Sequence, residues 1–205
     1  MHMGRTDIID VTAENAGAID QISKLLITGF PDSLSWQTVE EAVTEVAGSV
    51  QPGRISRMAL DDEGTVLGWI AGIEGYGGNV WELHPLIVHQ DCRLQGLGRR
   101  LVADFEVQVA MRGGHTVWLG TDDENCRTTL GGIDLYPDVL DKLKSLRNRD
   151  GHPFEFYLKL GFHIVGAIPD ANGFGKPDIL MAKRITQPES ATRSATDLRG
   201  SPSDR

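Results

Sequence analysis

The stretch Val88-His89-Gln90-Asp91-Cys92-Arg93-Leu94-Gln95-Gly96-Leu97-Gly98-Arg99 joins a strand candidate to an amphipathic helix, and its two glycines stand where that helix starts. Glycines here let backbone N–H groups turn toward one point, and the helix dipole adds positive potential there, so a phosphate or pyrophosphate fits. Arg93 and Arg99 flank the turn in an otherwise acidic chain. The same glycines also suit tight helix-on-sheet packing, and spacing alone leaves both readings open. No Gly-Lys-Ser/Thr follows, which excludes a P-loop, and the third glycine of a dinucleotide fingerprint is missing.

Upstream, Val80 to Val88 is the longest strand candidate. Downstream, Leu97, Leu101, Phe105 and Val109 recur every four positions until Gly113-Gly114, and Thr116 to Gly120 reads as a short buried strand. Strand, helix and strand make a βαβ unit with a right-handed crossover and parallel strands. Alternation along the first strand puts Glu82, His84 and Leu86 on one face and Leu83, Pro85 and Ile87 on the other. Pro85 has no N–H for a ladder, so pairing breaks there and leaves free backbone groups at Leu86, Ile87 and Val88 for an extended ligand. Glu82 and His84 read either as a site pair or as a solvent-facing pair.

Asp122 and Asp123 follow the second parallel strand, where ligands of open sheets bind, although an Asp there also caps helices. Tyr157, inside Phe154-Glu155-Phe156-Tyr157-Leu158, is a core aromatic or a phenol aimed at a leaving group.

The flanks follow the same periodicities. Thr6 to Val11 reads as a strand, and Ile19, Ile22, Leu25 and Leu26 as a helix up to Pro31. Thr38-x-x-Glu41 forms a capping box for a helix whose stripe is Val39, Ala42, Val43 and Val46. Ile55 to Leu60 and Val66 to Ile73 form a hairpin. Pro137 starts a helix with Val139, Leu140, Leu143 and Leu146 inward, and His152-Pro153 starts another. Phe162 to Ile168 and Ile179 to Ala182 are the last strands.

A chain of 205 residues is one domain or a small pair. With 20 basic and 29 acidic residues the net charge is −9, and no Lys/Arg run exceeds a pair such as Arg99-Arg100, so no nucleic-acid partner is expected. No apolar stretch approaches the roughly 18–20 residues of a membrane span and no leader pattern opens the chain, which predicts a cytoplasmic protein without a membrane partner. Cys92 and Cys126 form no CxxC pair, so neither a disulfide framework nor a metal site is expected. Residues 186–205 carry four Ser, three Thr, two Pro and one large apolar side chain, Leu198, and are expected to be a disordered tail beyond a single domain at 1–185.

These pieces resemble the GCN5-related N-acetyltransferase superfamily, whose (Q/R)xxGx(G/A) signature is matched by Arg93, Gly96 and Gly98. The element order from Thr6 to Ala182 resembles it too. More narrowly the chain is similar to aminoglycoside 6'-N-acetyltransferases in Trp-Glu-Leu-His-Pro at 81–85, Leu-Gly-Thr-Asp-Asp-Glu at 119–124 and His-Pro-x-Glu-Phe-Tyr at 152–157. Ile-Pro-x-Ala-Asn-Gly at 168–173 and Lys-Pro-Asp-Ile at 176–179 extend the similarity.

The resemblance implies an α/β (α+β) fold: a mixed, mostly antiparallel sheet with one parallel splayed strand pair, flanked by helices. It implies acetyl-CoA as co-substrate and no metal, with the pantetheine arm along Leu86, Ile87 and Val88. The pyrophosphate would lie on the amides of Leu94, Gln95, Gly96, Leu97, Gly98 and Arg99, beside Arg93. His152 stands where many members carry an Asn that contacts the coenzyme. Glu82 would orient or deprotonate the amine, His84 and the Leu86 N–H would help at the carbonyl oxygen, and Tyr157 would protonate the sulfur. A homodimer is also implied. Asp122, Asp123, Glu82 and Asp178 would attract a cationic aminoglycoside, and Trp36 would stack on a sugar ring or simply anchor the surface. Another polyamine or a basic protein as acceptor, and a non-catalytic acyl-CoA-binding module, are the competing readings. Residues 125–150 exceed a minimal acetyltransferase, and their role is open.

Overall fold

The computed structural model describes residues 5–31 and 35–186. The expected tail lies outside them apart from Thr186. Among the described residues seven strands, β1 (Asp7–Asp10), β2 (Arg54–Leu60), β3 (Val66–Gly75), β4 (Val80–Val88), β5 (Thr116–Asp122), β6 (His163–Ile168) and β7 (Asp178–Arg184), form one sheet in the order β1-β2-β3-β4-β5-β7-β6. Of these described strands only β4 and β5 pair in parallel, so the expected mixed sheet is present. The helices are α1 (Ala16–Gly29), α2 (Val39–Gly48), α3 (Leu97–Met111), α4 (Val139–Lys144) and α5 (Phe154–Lys159). None of the described helices is long and apolar enough to cross a membrane.

Two apolar clusters hold the sheet from opposite sides. On one, Leu97, Leu101, Phe105 and Val109 of α3 are fully buried with Ile55, Ile70, Val117 and Met181. Their four-residue spacing makes a single stripe, and each such side chain contributes about 1.5–3 kcal/mol. On the other, Ile22, Leu25, Leu26, Ala42 and Val46 of α1 and α2 pack on Met58, Trp69, Ala71 and Ile87. That second cluster does not extend over β5 and β7, where the same face carries Gly120, Asp122 and Asp178.

Several expectations are corrected by packing. Val39 and Val43 are 50% and 36% exposed, because α2 turns only Ala42 and Val46 inward. Leu140 is 71% exposed, while Leu146 is buried beyond the end of α4. Pro137 lies outside α4, whose N-cap is Asp138. β5 runs two residues further than its apolar run, since Thr121 and Asp122 keep pairing with Ile179 and Asp178.

The capping box is present: Glu41 N–H donates to Thr38 Oγ1 at 3.2 Å, and the Thr38 N–H donates to the Glu41 carboxylate at 3.0 Å. Thr38→Ala is expected to cost about 1 kcal/mol. Thermal denaturation should then shift down by about 2–4 °C; an unchanged midpoint would show that tertiary packing alone fixes α2.

Candidate active site

The parallel pair is short. β4 and β5 are in register only at Val80 with Thr116, Trp81 with Val117 and Glu82 with Trp118. Beyond Glu82 the edge of β4 that faced β5 has no described strand beside it, while its other edge stays on β3 as far as Val88 opposite Gly68. The ladder to β3 bulges at His84-Pro85, where the register moves from Gly72 opposite Leu83 to Ile70 opposite Leu86. One extra residue on β4 exchanges its faces. Trp81 and Leu83 belong to the α3 cluster and Leu86 packs against it, whereas Ile87 belongs to the α1/α2 cluster. The expected grouping of Leu86 with Glu82 and His84 is thus corrected, because simple alternation cannot pass Pro85. It is also the splay, more than Pro85, that opens Leu86 to Val88. His89 N–H donates to Leu67 on the β3 side at 2.8 Å, so alternation turns the backbone groups of Leu86 and Val88 toward the gap. Val88 O there accepts Arg93 Nε at 3.2 Å.

Where the gap meets the start of α3, Leu94 and Gly96 take left-handed backbone, with φ of 60° and 88°. Among the described residues the amides of Leu94, Gln95, Gly96, Leu97, Gly98 and Arg99 find no acceptor, and α3 has no side-chain cap. Converging unpartnered amides at a helix N-terminus bind anions, and the exposed Arg93 and Arg99 add charge. The packing reading applies as well, to a different glycine: a Cβ on Gly98 would lie 3.3 Å from the Phe156 ring of α5.

Tyr157 is 9% exposed, with its ring against Phe156 and Phe162 at centroid distances of 5.0 and 5.6 Å. Burial pushes its phenol well above the usual tyrosine range, so it holds its proton at neutral pH. No described residue hydrogen-bonds the hydroxyl. Glu82 is half-buried, and its carboxylate is also without a hydrogen bond among the described residues. His84 is exposed, its ring 5.8 Å from Trp36. Trp36 itself is 8% exposed and leans on Phe30 at 5.1 Å. The expected stacking platform is largely committed to the core, with an edge left on an open cleft of about 520 Å³ shared with His84, Glu40, Glu41, Glu45 and Arg54.

Asp122 and Asp178 face each other across β5 and β7. Asn172 Nδ2 donates to Asp122 Oδ1 in a short hydrogen bond. The Asp178 carboxylate lies over Gly120, where any Cβ would collide with it, and its Oδ1 is buried with no partner among the described residues. Burial, then Asp122, and further down Glu82, push the Asp178 carboxyl up to about 6. Asp123 departs from expectation. It is fully buried and accepts from the amides of Arg127 and Thr128 and from Thr128 Oγ1, so it braces its own loop and does not face a substrate. His152 departs too: at 2% exposure its ring binds the Asp122 carbonyl at 3.1 Å and the Phe154 amide at 3.3 Å, leaving no nitrogen for a coenzyme. Sequence reasoning missed Glu40, Glu45 and Asn172. The first two were visible only as helix surface, and Asn172 only as part of an Asn-Gly turn.

A model of the Acetyltransferase (GNAT) family matches residues 19–136. A crystal structure of an aminoglycoside 6'-N-acetyltransferase complexed with coenzyme A is 42% identical, with TM-score 0.82, over 89% of this chain and 98% of that one. The enzyme of the same name from Enterococcus faecium is 43% identical, with TM-score 0.78, over 89% and 98%. The ribosomal-protein-S18-alanine N-acetyltransferase of Escherichia coli, at 17% identity and TM-score 0.58 over 90% and 96%, shares the fold. A search of curated proteins finds no match.

Proposed function

The chain belongs to the GNAT acetyltransferase family, and from that premise we propose that it moves the acetyl group of acetyl-CoA to the 6'-amine of aminoglycosides, giving resistance to them. The observation that carries the choice of acceptor is the carboxylate set beside the splay. Among the described residues the Glu82 carboxylate finds no hydrogen-bond partner, and Asp178 keeps one buried oxygen unpaired beside Asp122. Burial without a counter-charge disfavours the ionised carboxylate, and an ammonium group placed beside it relieves that penalty. A polycation meets this need at several points, and the acidic cleft at Glu40 and Glu45 extends it.

The amides of residues 94–99 and the two arginines fit a pyrophosphate, and the backbone of Leu86 and Val88 fits an amide-bearing arm. The acceptor ammonium gives its proton to Glu82, directly or through water. Its nitrogen then bonds the thioester carbonyl carbon, while the Leu86 N–H and His84 donate to the carbonyl oxygen. The C–S bond breaks as Tyr157 gives its proton to the departing sulfur, and the second proton of the attacking nitrogen passes through water to restore the phenol, leaving a neutral amide. Asp122 and Asp178 hold further ammonium groups. This reading carries with it a cytoplasmic location, no nucleic-acid or membrane partner, a homodimer, and a single domain at 1–185. Ile185 is 6% exposed and its N–H donates to His115 O, which supports that boundary.

Release of CoA from acetyl-CoA with kanamycin, its 6'-hydroxyl analogue and spermidine tests the proposal. Turnover of the 6'-amine alone is expected, and unchanged in a chain ended at Ile185. Equal turnover of spermidine would move the assignment to a general polyamine acceptor, and binding without turnover to a sensing module.

A further inference from the structure

The excursion between β5 and α5 is knotted at both ends to the floor of the site. Besides the Asp123 brace, Arg127 donates Nε and Nη2 to the carbonyls of Asp150 and Gly151, both at 2.6 Å. Arg149 N–H returns to Arg127 O at 2.8 Å, and Thr128 pairs with Asn148 in an antiparallel bridge. Asn148 closes the knot on His152, accepting its N–H at 2.9 Å and donating to its carbonyl at 3.1 Å. The knot holds the His152 ring between the last residue of β5 and the first of α5.

We propose that His152 is a positioning residue for Tyr157: its ring ties α5 to the end of β5 and so sets where the phenol stands relative to the splay. This rests on the acid role proposed for Tyr157. α5 has six residues and no side-chain cap by its N-cap residue, Pro153, so it cannot fix its own direction. Its place comes from its contacts, with Phe156 on Gly98 at the anion nest and Phe154 accepted by His152 at the other end. Nδ1 takes the Phe154 N–H, an orphan donor of the first turn, so the proton sits on Nε2, which donates to Asp122 O. Only the neutral ring makes both bonds. Burial favours that form, among Asp122, Asp123 and Arg127 as the charged neighbours. Asn would reproduce the Nδ1 bond and Gln the Nε2 bond, but neither makes both.

The test is a double-mutant cycle in kcat with His152→Phe and Tyr157→Phe, each protein checked for a cooperative melt. His152→Phe is expected to lower kcat by about tenfold or more, since a misplacement near 1 Å can cost about 100-fold. The KM for acetyl-CoA should stay within about threefold, and adding the change to Tyr157→Phe should cost less than about twofold more. His152→Asn and His152→Gln should each recover part of kcat, and His152→Gln carries the cycle if the Phe variant does not fold. Losses that multiply on an impaired Tyr157→Phe background would overturn the positioning role alone. So would a tenfold rise in the acetyl-CoA KM at unchanged kcat, which would mean that the ring contacts the co-substrate. A Tyr157→Phe enzyme with intact kcat would instead overturn the acid role on which the proposal rests.

Discussion

Tyr157→Phe is expected to lower kcat by about 100-fold, the scale of a positioned general acid. The change removes one oxygen and leaves the ring, so the edge contacts with Phe156 and Phe162 persist. No described residue bonds the hydroxyl, so its loss strands no donor or acceptor, and the melting temperature should move by no more than a few degrees. Both KM values should hold, because a proton given to the departing sulfur acts only in the transition state. The raised phenol pKa sharpens the expectation. An exposed tyrosine loses its proton near pH 10, whereas the buried Tyr157 should keep kcat flat beyond that pH as far as the fold survives. Steady-state rates from pH 6 to pH 10.5 check both points. A Phe variant within threefold of wild type would show that solvent protonates the thiolate.

How much of this was legible in the residues depends on how local the cause is. Leu97, Leu101, Phe105 and Val109 announce α3 by spacing, and Arg93, Gly96 and Gly98 announce the nest, because helix periodicity and left-handed backbone are properties of short segments. The face exchange at Pro85 was hidden, since alternation assumes a regular ladder. What Asp123 and His152 do was hidden for a different reason. Their partners, Thr128 for one and Asn148 with Asp122 for the other, meet them only after residues 125–150 fold back. Motif matching assigns such residues by position, while burial decides what their polar atoms are free to do. Asp178 shows the converse: as a lone Asp at the head of a strand it carried no signal beyond the resemblance. Its buried oxygen, unpaired among the described residues, is accommodated because Gly120 leaves room for it across the sheet.

Glu82→Gln is expected to have the second large effect, a fall in kcat of about 100-fold or more, because the amide cannot take the ammonium proton. Gln is isosteric, and the Glu82 carboxylate has no hydrogen-bond partner among the described residues, so folding should be unaffected. A second consequence separates proton acceptance from simple attraction. Asp178 is held up to about 6 first by burial, then by Asp122, and also by Glu82. An acceptor ammonium needs the ionised Asp178, so kcat/KM of the wild type should fall on acidification through about pH 6. Removing the Glu82 charge lowers the Asp178 pKa, so in Glu82→Gln this acid limb should move to lower pH while the plateau drops. If Glu82 served only to attract the polycation, the variant would show a raised KM with kcat intact. If the acid limb stayed in place while kcat fell, the two carboxylates would be uncoupled in the working enzyme, and Asp178 would owe its raised value to burial and Asp122 alone.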